Sequence, residues 1–270
     1  MPARTRKRDR SAGPADYAFT VATVGLVGYA MGLARGSTLL YLSGALLLAS
    51  LATLLPQVRA FRGVATALLG VCLGLYLAGL VTPAALPASV ANARPEVANA
   101  AFKVVWIMTA VLVALIAGWR MRDLGAPWGR VTAGWWVRGM AVAAAVLIFY
   151  RYLYRPPAPL VTNLPTYWPY AAGICVFFGI SNGLAEEYLF RRLALVQLVD
   201  FLGPTWGLLS QALLYGLIHL GPSSRPSGPA GALVMAGLGW FLGRSAHSTR
   251  GLALAVAVHA IIDTFIFWWS

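Results

Sequence analysis

The chain has 270 residues, 59% of them hydrophobic and only 11% charged, with a formal net charge of +13. Its mean hydropathy of +0.72 leaves too little charge to clothe a soluble domain, and apolar stretches of about 18–22 residues, long enough to cross a bilayer core, recur along it. Lipid offers the backbone no hydrogen-bond partner, so such runs must be helices, and the alternation of a transmembrane β-barrel is absent. The fold class expected is therefore all-α, a polytopic transmembrane helical bundle of about eight or nine spans.

In chain order, residues 1–16 hold Arg4, Arg6, Lys7, Arg8 and Arg10 and read as a basic cytoplasmic tail able to touch anionic lipid. The N-terminal transmembrane helices, within 17–150, fall at 17–34, 38–56, 63–84, 101–119 and 134–150. Gly32-Leu33-Ala34 resembles a cleavage site, but the run is long for a signal sequence and further spans follow, so a retained helix is expected. Lys103 and Arg138 lie near span starts, where snorkelling to the headgroups accounts for them. Cys72 and Cys175 sit inside apolar runs, show no metal or disulfide spacing, and read as small core residues.

Residues 151–166, with Pro156, Pro157, Pro159 and Pro165, read as an irregular connection that divides the chain. Beyond it, 167–270 carries runs at 167–200, 204–220, 229–244 and 251–269. The first is too long for one perpendicular crossing, so it must tilt, extend past the membrane or break near Gly179–Gly183. Tyr167, Trp168 and Tyr170, and at the other extreme Phe265, Phe267, Trp268 and Trp269, read as interfacial aromatic belts. The pairs Gly28/Gly32, Gly70/Gly74 and Gly239/Gly243 suit close helix packing. No internal repeat suggests a transporter built from duplicated halves.

The positive charge sits in short segments between spans, as the positive-inside rule expects, rather than on a basic aromatic surface suited to nucleic acid. With the N-terminus cytoplasmic, Arg59, Arg62, Arg120, Arg122, Arg130, Arg244 and Arg250 fall in cytoplasmic loops, and only Arg35, Arg94, Arg151, Arg155 and Arg225 fall opposite. That arrangement is the one expected of an integral membrane protein with a cytoplasmic N-terminus; a bacterial inner membrane is the expected location, with the bilayer and not nucleic acid as partner. His247, between Arg244 and Arg250, reads as a solvated loop residue.

The chain has eight acidic residues and three histidines, yet Glu186, Glu187, His219, His259 and Asp263 all lie in the last apolar segments. Ionisable groups at membrane depth are costly and point to function. Glu187 and Arg191 are four apart on a helix and pair on one face. Glu186 lies about 100° around the helix and is left without that partner. Arg192 reads as a snorkelling or packing neighbour of Arg191. Glu186 lies 17 residues before Gly203 and His219 16 residues after it, so an antiparallel turn at Gly203-Pro204 brings the two to similar depth. His259 and Asp263 again share a face. A carboxylate beside a histidine in a water-poor pocket is a water-activating pair, and a second histidine with a polar neighbour can stabilise an oxyanion. Glu186, His219, His259 and Asp263 are equally acceptable ligands for zinc or another divalent metal.

These residues carry a resemblance. Asn182-Gly183-Leu184-Ala185-Glu186-Glu187-Tyr188-Leu189-Phe190-Arg191, which contains EExxxR, resembles the first motif of the CPBP family, the CaaX-protease-like and bacteriocin-processing (Abi) intramembrane glutamic endopeptidases. Tyr215-Gly216-Leu217-Ile218-His219 resembles its FxxxH motif, with Tyr215 where Phe is usual. His259-Ala260-Ile261-Ile262-Asp263 resembles its HxxxN/D motif. The resemblance covers roughly 167–270 and implies hydrolysis of a peptide bond in a membrane-anchored protein or peptide, without a cofactor. It implies that Glu186 and His219 activate water, that His259 and Asp263 hold the oxyanion, and that Glu187 and Arg191 are supporting. An ionised Asp263 cannot donate to an oxyanion, which leaves orienting His259, accepting a proton or binding a metal. Two other readings fit the same residues: a non-catalytic membrane scaffold or immunity protein that keeps the pocket, and a proton- or ion-coupled transporter. A relay would spread its ionisable groups along a path through the bilayer, whereas these fall in one layer.

Overall fold

The computed structural model describes residues 13–33, 61–89, 94–154, 168–221 and 224–269. Ten helices run through them: α1 (Pro14–Leu33), α2 (Arg62–Ala85), α3 (Pro95–Ile116), the short α4 (Met121–Leu124), α5 (Ala133–Ile148), α6 (Trp168–Glu187), α7 (Leu195–Leu202), α8 (Pro204–Leu217), α9 (Gly228–Thr249) and α10 (Ala253–Trp269). Among the described residues there is no strand. Four helices are long and apolar enough to cross a bilayer: Pro14–Leu33, Arg62–Ala85, Glu96–Ile116 and Ala133–Tyr154. Ala253–Trp269 is apolar but shorter. The run expected at 38–56 lies outside the described residues.

Local sequence sets several helix starts. Pro95 and Pro204 open α3 and α8, and α9 carries a proline in its first turn, where a missing N–H costs nothing. At α1, the Gly13 N–H donates to Asp16 Oδ2 at 2.8 Å. Gly203, at φ 81°, reverses the chain between α7 and α8 in a conformation that glycine adopts without strain.

Residues 168–202 do not break at Gly179–Gly183. The chain stays helical from Trp168 to Leu202, widened to a π-helix over Tyr188–Ala194. At 1.5 Å per residue such a helix is about 50 Å long, more than a hydrocarbon core of roughly 30 Å. Gly179 and Gly183 form a seam instead. A Cβ on Gly179 would lie 2.3 Å from Thr264 Oγ1 and 2.4 Å from Ala260 O, and one on Gly183 3.1 Å from Ala260 N. The two missing side chains let α10 lie directly against α6.

Similar seams join the other helices. Gly32 of α1 admits no Cβ beside Leu217 O (2.2 Å), and Gly74 of α2 none beside Trp106 of α3 (2.6 Å). Gly239 and Gly243 of α9 meet Tyr215 and Gln211 of α8. In lipid no hydrophobic force drives helices together, so van der Waals contact at small residues and interhelical hydrogen bonds carry the association. Trp106 Nε1 donates to Val71 O at 2.7 Å and ties α3 to α2. Cys72 and Cys175 are buried and free.

The helices alternate between two ends. At one end Phe61 packs on Phe19 and Phe201, Tyr17 on Trp206, and Arg130 N–H donates to Thr249 O. Arg62, Arg120, Arg122, Arg130, Arg244 and Arg250 lie toward this end. Toward the other, Tyr154 bonds Ser227 and Arg94 lies over the Tyr170 ring; Arg151 and Arg225 are on this side. Arg192 does not snorkel. It is buried, and its guanidinium donates to Asp123 O, while Tyr188 OH donates to Leu124 O at 3.0 Å. The 118–132 connection is thereby strapped beneath the π-helical turn. The C-terminal aromatics are not all a belt, for Phe267 is buried and stacked on Phe178 at 4.2 Å, while Phe265, Trp268 and Trp269 are exposed.

Candidate active site

Four helices contribute polar side chains to one small region. α6 brings Asn182, Glu186 and Glu187, α8 brings Tyr215, α10 brings His259 and Asp263, and α3 brings Lys103. Asn182 and Glu186 are one turn apart and share a face of α6.

Glu187 and Arg191 pair as their spacing predicts, Oε1 to Nη1 at 3.0 Å, and both side chains are fully buried. The same Glu187 oxygen lies 2.7 Å from His259 Nδ1, so Glu187 fixes one edge of that imidazole as well. The Arg191 guanidinium caps the Tyr215 ring at 4.4 Å, and its Nε and Nη2 find no acceptor among the described residues. The other edge of His259 faces Asp263, Nε2 to Oδ2 at 3.3 Å. Asn182 Nδ2 donates to the same Asp263 oxygen at 2.5 Å.

Glu186 is not the unpartnered carboxylate that helix geometry alone predicts. Its Oε1 accepts a hydrogen bond from Lys103 Nζ at 2.6 Å. Lys103 is correspondingly not a snorkelling residue: it is only 7% exposed, and its ammonium also lies 4.8 Å from the Trp106 ring centre. The second oxygen, Oε2, accepts from Tyr215 OH at 3.2 Å and lies 3.8 Å from His259 Nε2. The Tyr215 hydroxyl also stands 3.4 Å from His259 Nε2. The extra oxygen that distinguishes Tyr215 from phenylalanine thus links the carboxylate to the imidazole.

His219 lies at the end of α8, 8% exposed, with its ring 5.0 Å from that of Tyr215 and Nδ1 2.8 Å from Tyr215 O. The His259 imidazole lies 3.8 Å from Glu186 Oε2, and His219 also stands within electrostatic reach of that carboxylate. An aromatic wall backs the site, running from Phe102 through Trp106 and Phe190 to Tyr215.

Glu186 Oε1 holds an ammonium and His259 Nδ1 holds a carboxylate, and the described residues include no group of three or more His, Cys, Asp or Glu arranged to hold a metal ion. What the arrangement offers is a carboxylate with one oxygen held by a cation and the other turned toward a hydroxyl and an imidazole, which suits proton transfer.

Residues 168–265 match the Rce1-like family, type II CAAX prenyl endopeptidase. This is a CaaX-protease family, as the three motifs imply. No curated protein and no solved structure matches the chain. The Rce1-like segment begins at α6 and ends within α10, so it contains Asn182, Glu186, Glu187, Tyr215, His219, His259 and Asp263 and excludes Lys103. Asn182 and Lys103 are the two site residues that motif reasoning missed. Asn182 stood inside the quoted first motif, one turn before Glu186. Lys103 obeyed the criterion that singled out the acids, an ionisable group within an apolar run.

Proposed function

We propose that this protein is an intramembrane endopeptidase that hydrolyses a peptide bond of a membrane-associated protein or peptide. The observation that carries the reading is the placement of Glu186, which belongs to the first family motif and whose Oε2 faces Tyr215 OH and His259 Nε2 from two other helices. Glu186 removes a proton from water as the oxygen attacks the scissile carbonyl, then returns that proton to the leaving amine. His259, held by Glu187 and Asp263, is the proton partner beside it. His219, its ring 5.0 Å from that of Tyr215, stands at the end of α8 beside them. Asp263 orients His259. The N-terminus is cytoplasmic, since Arg62, Arg120, Arg122, Arg130, Arg244 and Arg250 lie toward one end of the bundle and fewer arginines toward the other.

The test compares membrane-protein cleavage products in cells carrying the wild type with those carrying Glu186→Gln, insertion and abundance being matched by blot. The substitution keeps the side-chain volume and removes the base. New polypeptide termini present only with the wild type are expected, depleted about 100- to 10,000-fold in the variant, the range a general base contributes. Identical sets of termini would sink the endopeptidase and leave the scaffold reading.

A further inference from the structure

The reaction proposed above generates an oxyanion, and the motif pair is poorly built to receive it. Asp263 Oδ2 already accepts from Asn182 and faces His259 Nε2. A carboxylate beside the scissile carbonyl repels the charge that develops there. With Glu186 and Glu187 nearby, the pocket is rich in acceptors and needs a donor carrying positive charge.

Lys103 supplies one from outside the Rce1-like segment. Lys7 and Lys103 are the only lysines in the chain, and every other fixed cation is arginine. An ammonium is a compact point charge with three N–H donors, whereas a guanidinium is a planar fork. One Lys103 donor goes to Glu186 Oε1, which leaves two. Trp106 lies against the ammonium, and the Phe102–Trp106–Phe190 wall closes off the α3 side, so the charge acts in a water-poor pocket where it is worth most.

We infer that Lys103 is a catalytic residue of this site, its ammonium holding the Glu186 carboxylate before attack and the carbonyl oxygen after it. This rests on the endopeptidase reading. The step balances without any co-reactant. A water O–H bond breaks and its proton passes to Glu186, the water oxygen bonds to the carbonyl carbon, and the carbonyl π pair moves onto oxygen. Glu186 becomes neutral as the substrate oxygen becomes negative. The negative charge therefore shifts from one neighbour of Lys103 to another, and the ammonium never loses its counter-charge. On collapse the C–N bond breaks, the amine takes the proton from Glu186, and the carboxylate returns to Lys103.

The experiment uses the full chain in proteoliposomes and a synthetic peptide spanning the cleavage site found in the Glu186→Gln comparison. For Lys103→Gln, kcat is expected to fall 100- to 1,000-fold, the loss typical of one oxyanion donor, with KM changed less than about threefold. Affinity for the same peptide with a phosphinate at the scissile bond should fall by the factor lost in kcat/KM, while affinity for an uncleavable ground-state analogue holds. Lys103→Arg, which keeps a cation, should recover part of the rate. Equal loss of affinity for both analogues would reduce Lys103 to a structural counter-ion and overturn the assignment. So would a Lys103→Gln kcat within threefold of wild type, with the endopeptidase reading left standing. Absence of any wild-type-specific terminus would instead remove that reading and this one with it.

Discussion

The helices before residue 155 and the Rce1-like segment treat charge inside the membrane in opposite ways. Upstream, α2 and α3 meet through Gly70 and Gly74 against Ala110 and Trp106, and Lys103 is the cation that α3 turns into the bundle. Downstream, α6 and α10 meet through an equally tight glycine seam, yet one turn away they carry Asn182, Glu186, Glu187, His259 and Asp263 in a single network. The segment with the motifs carries an excess of acceptors, and the segment without them contributes the cation that Glu186 holds. A site can be complete in its motifs and still borrow a charge from elements that the motifs do not include.

The largest expected effect tests how far the downstream network depends on its inner pair. Glu187→Leu strands the fully buried Arg191 guanidinium and should destabilise the protein by about 3–5 kcal/mol, as breaking a buried ion pair does. Thermal unfolding in detergent would read this, and Glu187→Leu/Arg191→Leu should recover much of the loss. A smaller effect compares the two seams directly. Gly74→Ala and Gly179→Ala each force a Cβ to within 3 Å of neighbouring atoms and should each cost about 1–3 kcal/mol. Both should also slow cleavage, since Gly179 abuts the helix that carries His259 and Gly74 abuts Trp106, which touches Lys103. Full cleavage by Gly74→Ala would break the claim that the upstream seam positions the site. The smallest concerns the strap. Tyr188→Phe removes one hydrogen bond to Leu124 O, should cost about 0.5–1.5 kcal/mol, and should speed amide exchange over 120–130 with cleavage unchanged.

Much of this architecture was legible in the residues. Among the described residues apolar run lengths located the helices, the small-residue pairs marked seams that do form, and the i,i+4 spacings of Glu187/Arg191 and His259/Asp263 described real contacts. Such patterns are properties of one helix, and one helix is what periodicity reports. Contacts between helices were less legible. Glu186 reads as free because its partner lies 83 residues away, and Lys103 reads as snorkelling because it sits near the start of a run. Gly179 and Gly183 read as a possible break because glycine weakens an isolated helix; only the presence of α10 makes them a docking groove. Arg192 packs, as one of its two readings had it, but its acceptor was not legible, since that acceptor belongs to a connection with no periodic pattern.

The Lys103–Glu186 pair also bears on how the protein is made. α3 leaves the ribosome 83 residues ahead of Glu186, a matter of seconds at about 5–20 residues per second. During that interval the lysine has no counter-ion, and a position two turns from the start of α3 lets its stem reach the headgroups. An ammonium and a carboxylate paired within the bilayer each lower the cost of burying the other. The contact between Lys103 and Glu186 would then also tie the two halves of the chain together.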